Sequence, residues 1–161
     1  MDLLSTGDLK GILDVLSFME EMEGTVADFY RVCGELWTER REFWSVIEED
    51  ERKHVRYVGT VKELISRKPQ RFEKGRPFNI MAVQTVIRGI QNSMAKAKAG
   101  ELTMSGALFI ARDNEQSFLE SRYSEIVKTE DIEYLTLVNT IVRETVNHKA
   151  AIDEEIRNLR N

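Results

Sequence analysis

The sequence predicts an all-α fold, a four-helix bundle with an extra crossover helix between the second and third long helices. Apolar residues recur at spacings of three and four over long stretches, and no segment alternates with a period of two. Only two prolines occur in 161 residues, so long segments contain no helix breaker. A chain of this length can bury one sizeable core, and we expect a single domain over residues 1–161.

The apolar stripes place the helices in chain order. They predict helices over 8–38, 40–67, 79–99, 104–128 and 131–159. Pro69, Gly75 and Pro77 mark the one clear loop, near the middle of the chain. The chain therefore divides into two helix-pair halves, 8–67 and 104–159, joined by a linker and helix at 68–100.

Composition excludes several classes of protein. A net charge of −5 argues against nucleic acid as a partner, because nucleic-acid-binding surfaces are basic. No window has the roughly 20 apolar residues of a membrane span, and the acidic start does not look like a secretory signal. The single cysteine, Cys33, cannot form an internal disulfide or a four-sulfur metal site. We therefore expect a cytoplasmic protein with no membrane and no nucleic acid among its partners.

Five polar side chains interrupt the apolar stripes near the middle of four helices: Glu23, Glu51, His54, Glu115 and His148. Alone, each has an ordinary explanation, since Glu-x-x-His is mostly surface chemistry and a lone inward histidine is usually a satisfied core residue. Together they include both histidines of the chain and place a metal-capable group on each long helix. Buried carboxylates that face one another repel, and a bound cation removes that cost. The pattern predicts a metal site in the core.

This order of side chains resembles the ferritin-like di-iron carboxylate proteins, in which Glu, Glu-x-x-His, Glu and Glu-x-x-His project from four helices. Three segments are similar to the rubrerythrin-like branch, here without a rubredoxin domain: EMEGTVADFY (21–30), IEEDERKHVRYV (47–58) and GELTMSGALFIARDNEQS (100–117). The resemblance implies two iron ions, with manganese or zinc as alternatives. It also implies Glu23 and Glu115 as terminal ligands, Glu51 as a bridge, and His54 and His148 as nitrogen ligands.

The fourth helix departs from that pattern. Where the family has a carboxylate three residues before the histidine, this chain has Thr145. Glu144, four residues before His148, is the nearest substitute ligand, because i and i+4 share a helix face. A two-ion site, a one-ion remnant and an empty site all remain open, and the second ion is the one in doubt.

The resemblance implies an oxidoreductase acting on peroxide or oxygen, with electrons from an external redox protein and a homodimer as the expected assembly. A ferroxidase or iron-handling protein would use the same ligands. A structural or interaction bundle with a degenerate metal site is the alternative that Thr145 favours.

Overall fold

The computed structural model describes residues 3–160. It contains five α-helices: α1 (Thr6–Leu36), α2 (Arg41–Arg67), α3 (Ile80–Lys98), α4 (Met104–Ser121) and α5 (Ile132–Leu159). Two strands of two residues each, β1 (Glu73–Lys74) and β2 (Val127–Lys128), form an antiparallel pair. The all-α prediction is confirmed. The small strand pair was not predicted, because its strands are too short to show a period of two.

Side-chain caps fix the starts of α1 and α3. Ser5 accepts a hydrogen bond from the backbone of Asp8, and the Asp8 carboxylate accepts from the backbone of Ser5, which completes a capping box. Asn79 caps α3 by accepting a hydrogen bond from the backbone of Ala82. These caps satisfy amide groups that have no partner inside the helix.

The prediction of a helix over 104–128 is wrong over residues 122–128. The helix α4 ends at Ser121, because Arg122 adopts a left-handed conformation with a φ of 50°. Residues beyond it leave the helix axis and pair with the central loop, where the backbone of Gly75 donates to Ile126. A Cβ atom at Gly75 would overlap the backbone of Glu125, Ile126 and Val127, so this close approach requires glycine.

The apolar core consists of two clusters, one toward each end of the molecule. The first contains Leu16, Met19, Val58 and Val61 together with the residues around the strand pair. The second contains aromatic residues of α1 and α2 and apolar residues of α4 and α5. Helix α1 packs mainly on α2 and α3, and α5 packs on α4 and α2. The two clusters leave a layer between them at the middle of the long helices.

None of the helices in residues 3–160 combines the length and the apolar character that a membrane crossing requires.

Candidate metal centre

The layer between the two apolar clusters is polar, and four helices contribute to it. Helix α1 supplies Glu23, α2 supplies Glu51 and His54, α4 supplies Glu115, and α5 supplies His148. All five side chains are buried, with exposed fractions between 0% and 4%. The structure therefore brings together five of the six side chains that the sequence singled out as ligands.

Two groups of potential ligand atoms share Glu51. Glu23, Glu51 and His54 form one group, and Glu51, Glu115 and His148 form the other. Within each group the ligand atoms lie within 4.8 Å of one another. Nδ1 of His54 lies 3.4 Å from Glu51 and 3.7 Å from Glu23. Nδ1 of His148 lies 2.8 Å from Glu51 and 3.8 Å from Glu115.

These separations suit cation ligands. Ligands about 2.1 Å from a metal ion lie roughly 3.0 to 3.4 Å apart at octahedral or tetrahedral angles. The two oxygens of Glu51 point toward different histidines, Oε1 toward His148 and Oε2 toward His54. One carboxylate is thus placed to contact two ions, one in each group.

Each histidine is oriented by a carboxylate on its outer side. Nε2 of His54 lies 2.7 Å from Glu144, and Nε2 of His148 lies 3.1 Å from Asp50. An ionised carboxylate only accepts hydrogen bonds, so both Nε2 atoms act as donors, and in the neutral form of each ring Nδ1 carries the lone pair that faces the interior. Carboxylate–histidine pairs of this kind fix the ring and its tautomer at metal sites.

Glu144 therefore occupies a different place from the one that the sequence suggested. It belongs to neither group of ligand atoms, its side chain is 26% exposed, and it contacts the histidine of α2 rather than His148. Thr145 faces the interior, with an exposed fraction of 1%, and its hydroxyl donates to the carbonyl of Ile141. A buried hydroxyl thus stands at this position, three residues before His148.

Asp50 is a functional candidate that the sequence argument gave no role. The signal for it was present, because Asp50 lies four residues before His54 as Glu144 lies four before His148. Helices α2 and α5 exchange these contacts, so that each acid orients the histidine of the other helix. The spacing shows the repeated motif, but only the packing of the two helices reveals the exchange.

Tyrosines complete the surroundings of the cluster. The hydroxyl of Tyr30 donates a hydrogen bond to Glu115. The hydroxyl of Tyr123 is buried and has no hydrogen-bond partner within residues 3–160. Burial and the nearby charge of Glu23 raise the pKa of Tyr123 well above its ordinary value, which keeps it a neutral phenol.

Four buried atoms at the centre of the layer test whether a cation fits. Across residues 3–160 no hydrogen bond of good geometry is found for Oε1 of Glu23, Oε1 of Glu51, or Nδ1 of His54 and His148, although Nδ1 of His148 and Oε1 of Glu51 lie 2.8 Å apart. Polar atoms in protein interiors are normally paired, and an unpaired one costs about 1–3 kcal/mol. These atoms converge from three helices and, once deprotonated, match the donor set of a divalent cation such as iron, manganese or zinc.

The charges of the layer are strongly coupled without an ion. Burial, together with the charges of Glu51 and Glu115, raises the pKa of Glu23 well above its ordinary value. Burial opposes ionisation of Glu51 as well, but its interactions with Glu23 and both histidines outweigh burial and lower its pKa. Burial lowers the pKa of His148, yet Glu115 and Glu51 outweigh that effect and raise it to about 11. The metal-free layer therefore holds protons in place of cations.

Comparison with protein-family models, with curated proteins and with solved structures finds no match to this chain. The assignment of function therefore depends on the geometry of the buried cluster alone. That geometry supports a helical protein whose buried carboxylate and histidine groups could hold a metal ion.

Proposed function

We propose that this protein is a ferritin-like metalloprotein that binds two cations in the layer between its two apolar clusters. The single observation that carries the proposal is the pair of buried ligand groups joined by Glu51. The first ion would contact Glu23, Glu51 and His54, and the second would contact Glu51, Glu115 and His148. The acids that orient the histidines would be Glu144 and Asp50.

Iron is the metal we propose, with manganese or zinc as the other candidates. Carboxylate oxygens with one imidazole nitrogen per ion suit the first-row divalent ions, and this set contains no thiolate. Bound iron would supply electron exchange with peroxide or oxygen. The protein's own contribution is to exclude water with the apolar clusters, to turn Nδ1 of each histidine toward the ions, and to direct the Tyr30 hydroxyl at Glu115.

The reaction we propose is reduction of peroxide or oxygen with electrons from an external redox protein. Carboxylate-rich ligand sets favour redox metals such as iron and manganese. The assembly we propose is a homodimer. Ferroxidase activity for iron handling uses the same ligands, with ferrous iron as substrate. Peroxide consumption that depends on a reductant supports the first activity, and net iron uptake by an assembly supports the second.

Metal analysis of three proteins tests the proposal: wild type, His54→Ala and His148→Ala. Wild type prepared without chelators is expected to contain close to two ions per chain, and each variant is expected to lose metal. Loss in only one variant indicates a one-ion remnant. Absence of metal from wild type after incubation with ferrous, manganous and zinc salts refutes the proposal and leaves a structural bundle.

A further inference from the structure

An aromatic pair links the polar layer to the second apolar cluster. The ring of Tyr30, whose hydroxyl donates to Glu115, lies against the indole of Trp44 with centroids 5.7 Å apart. Both side chains are completely buried. Phe43 packs edge-on against Trp44 at 5.1 Å and is itself partly exposed, so that Trp44 lies one ring behind the surface.

The polar atoms of the two rings differ, and the difference favours electron transfer from Tyr30 to an oxidised Trp44. The indole N–H of Trp44 has no hydrogen-bond acceptor in the described part of the chain. An oxidised Trp44 therefore cannot pass its proton to a neighbour and stays a radical cation. The phenol of Tyr30 already points its proton at a carboxylate, so it can lose an electron and a proton together.

We propose that Trp44 and Tyr30 form an electron relay between the surface at Phe43 and the carboxylate layer. When an outside one-electron oxidant takes an electron from Trp44, the indole becomes a radical cation. Tyr30 then gives one electron to Trp44 and its hydroxyl proton to Glu115. The products are a neutral indole, a phenoxyl radical and a protonated carboxyl group, so one electron has left the protein.

An external one-electron donor can also drive the pair against its favoured direction and so repair a phenoxyl radical. A phenoxyl radical at Tyr30 takes an electron from Trp44 and its proton back from Glu115, and an external one-electron donor at the Phe43 surface restores the indole. This use deepens the proposed redox function and rests on it. The electron-transfer step is tested without metal, so its failure and a failure of metal binding are separate results.

Flash photolysis of the metal-free protein tests the relay, with a ruthenium polypyridyl complex as photo-oxidant and methyl viologen as electron acceptor. All proteins carry Trp37→Phe and Tyr57→Phe, since these are the second tryptophan and the one tyrosine that is not buried. Transient absorption then follows the indole radical cation of Trp44 and the phenoxyl radical. In this background the phenoxyl radical is expected to rise as the indole radical cation decays.

Two variants and one control give the deciding comparisons. Tyr30→Phe is expected to prolong the indole radical cation at least tenfold, and Trp44→Phe to lower the phenoxyl yield at least fivefold. Tyr134→Phe, which removes a buried tyrosine that packs on Phe72, is expected to change neither. Circular dichroism checks that each variant folds, and Tyr30→Phe alone decides the question if Trp44→Phe does not fold. An unchanged indole lifetime in Tyr30→Phe, or an unchanged phenoxyl yield in Trp44→Phe, overturns the relay.

Discussion

Replacement of Glu23 by glutamine distinguishes the effect of this side chain on the stability of the metal-free protein from its effect on metal binding. The raised pKa of Glu23 means that the metal-free protein holds this side chain protonated at neutral pH. Glutamine has the same shape as a protonated glutamate and can donate a similar hydrogen bond to Glu51. We therefore expect the metal-free variant to melt within about 4 °C of wild type, because its free energy of unfolding changes by less than about 1 kcal/mol.

Metal binding is expected to distinguish the two proteins. A ligand at about 100 times its Kd adds about 2.7 kcal/mol to the free energy of unfolding. For a chain of this size, 1 kcal/mol moves the Tm by about 2–4 °C, so saturating metal should raise the Tm of wild type by about 5–11 °C. A hundredfold loss of affinity in Glu23→Gln would leave about 0.4 kcal/mol, or about 1–2 °C.

Thermal unfolding followed by circular dichroism, with and without Mn²⁺, measures this difference. Glu21→Gln is the matched control, because it makes the same side-chain replacement two residues away on the exposed face of α1. It is expected to keep the full metal-induced rise in Tm. A rise in Glu23→Gln as large as in wild type would show that Glu23 is not a ligand.

Three further perturbations address other parts of the site. Asp50→Asn is expected to lower metal affinity about 10- to 100-fold, because the ring of His148 loses the carboxylate that orients it. Calorimetry measures the affinity, and Glu49→Gln is the control that should leave it unchanged. Equal affinities in Asp50→Asn and wild type would argue against the orienting role. Because the folded-state pKa of His148 is about 11 against an unfolded value near 6.5, its contribution is fully present below pH 6.5 and is lost as pH rises toward 11. The Tm of metal-free wild type should therefore fall more steeply between pH 7 and 10 than that of His148→Asn, and parallel curves would contradict this. Thr145→Glu places a carboxylate beside the second group. The added ligand is expected to strengthen binding of the second ion, and the added buried charge is expected to lower the metal-free Tm. Weaker binding of the second ion would show that a side chain at this position cannot reach it.

The periodicity of the sequence identified which face of each helix is buried, and with it five inward ligands. A period of 3.6 residues places a side chain on a face, and the cost of burying a carboxylate supplies the reason for a cation. Neither argument states which helices are neighbours. For that reason Glu144, correctly placed on the face of His148, was assigned to the wrong contact, since its partner lies across the interface on α2.

The end of α4 shows a second limit of local pattern. Residues 122–128 contain no glycine or proline, and their apolar spacing continues the helix. The helix stops because Arg122 turns left-handed and the following segment gains backbone hydrogen bonds with the central loop at Gly75. Those bonds join residues about fifty positions apart, so the competition that ends the helix is tertiary and leaves no signal in the neighbouring sequence.

The hydroxyl of Thr145 lowers the electrostatic cost of the metal-free layer. In a layer with two equivalent Glu-x-x-His motifs, each carboxylate would repel the other unless both ions were present. Here one of the two is a hydroxyl that already donates within its own helix, so the metal-free layer holds three buried carboxylates rather than four. Fewer like charges lower the cost of the empty state and weaken the hold on the second ion. We therefore expect the ion next to Glu23 and His54 to bind first and the ion next to His148 to exchange more readily. Stepwise titration with Mn²⁺ should resolve two affinities in wild type, and a single affinity for both ions would refute this account of Thr145.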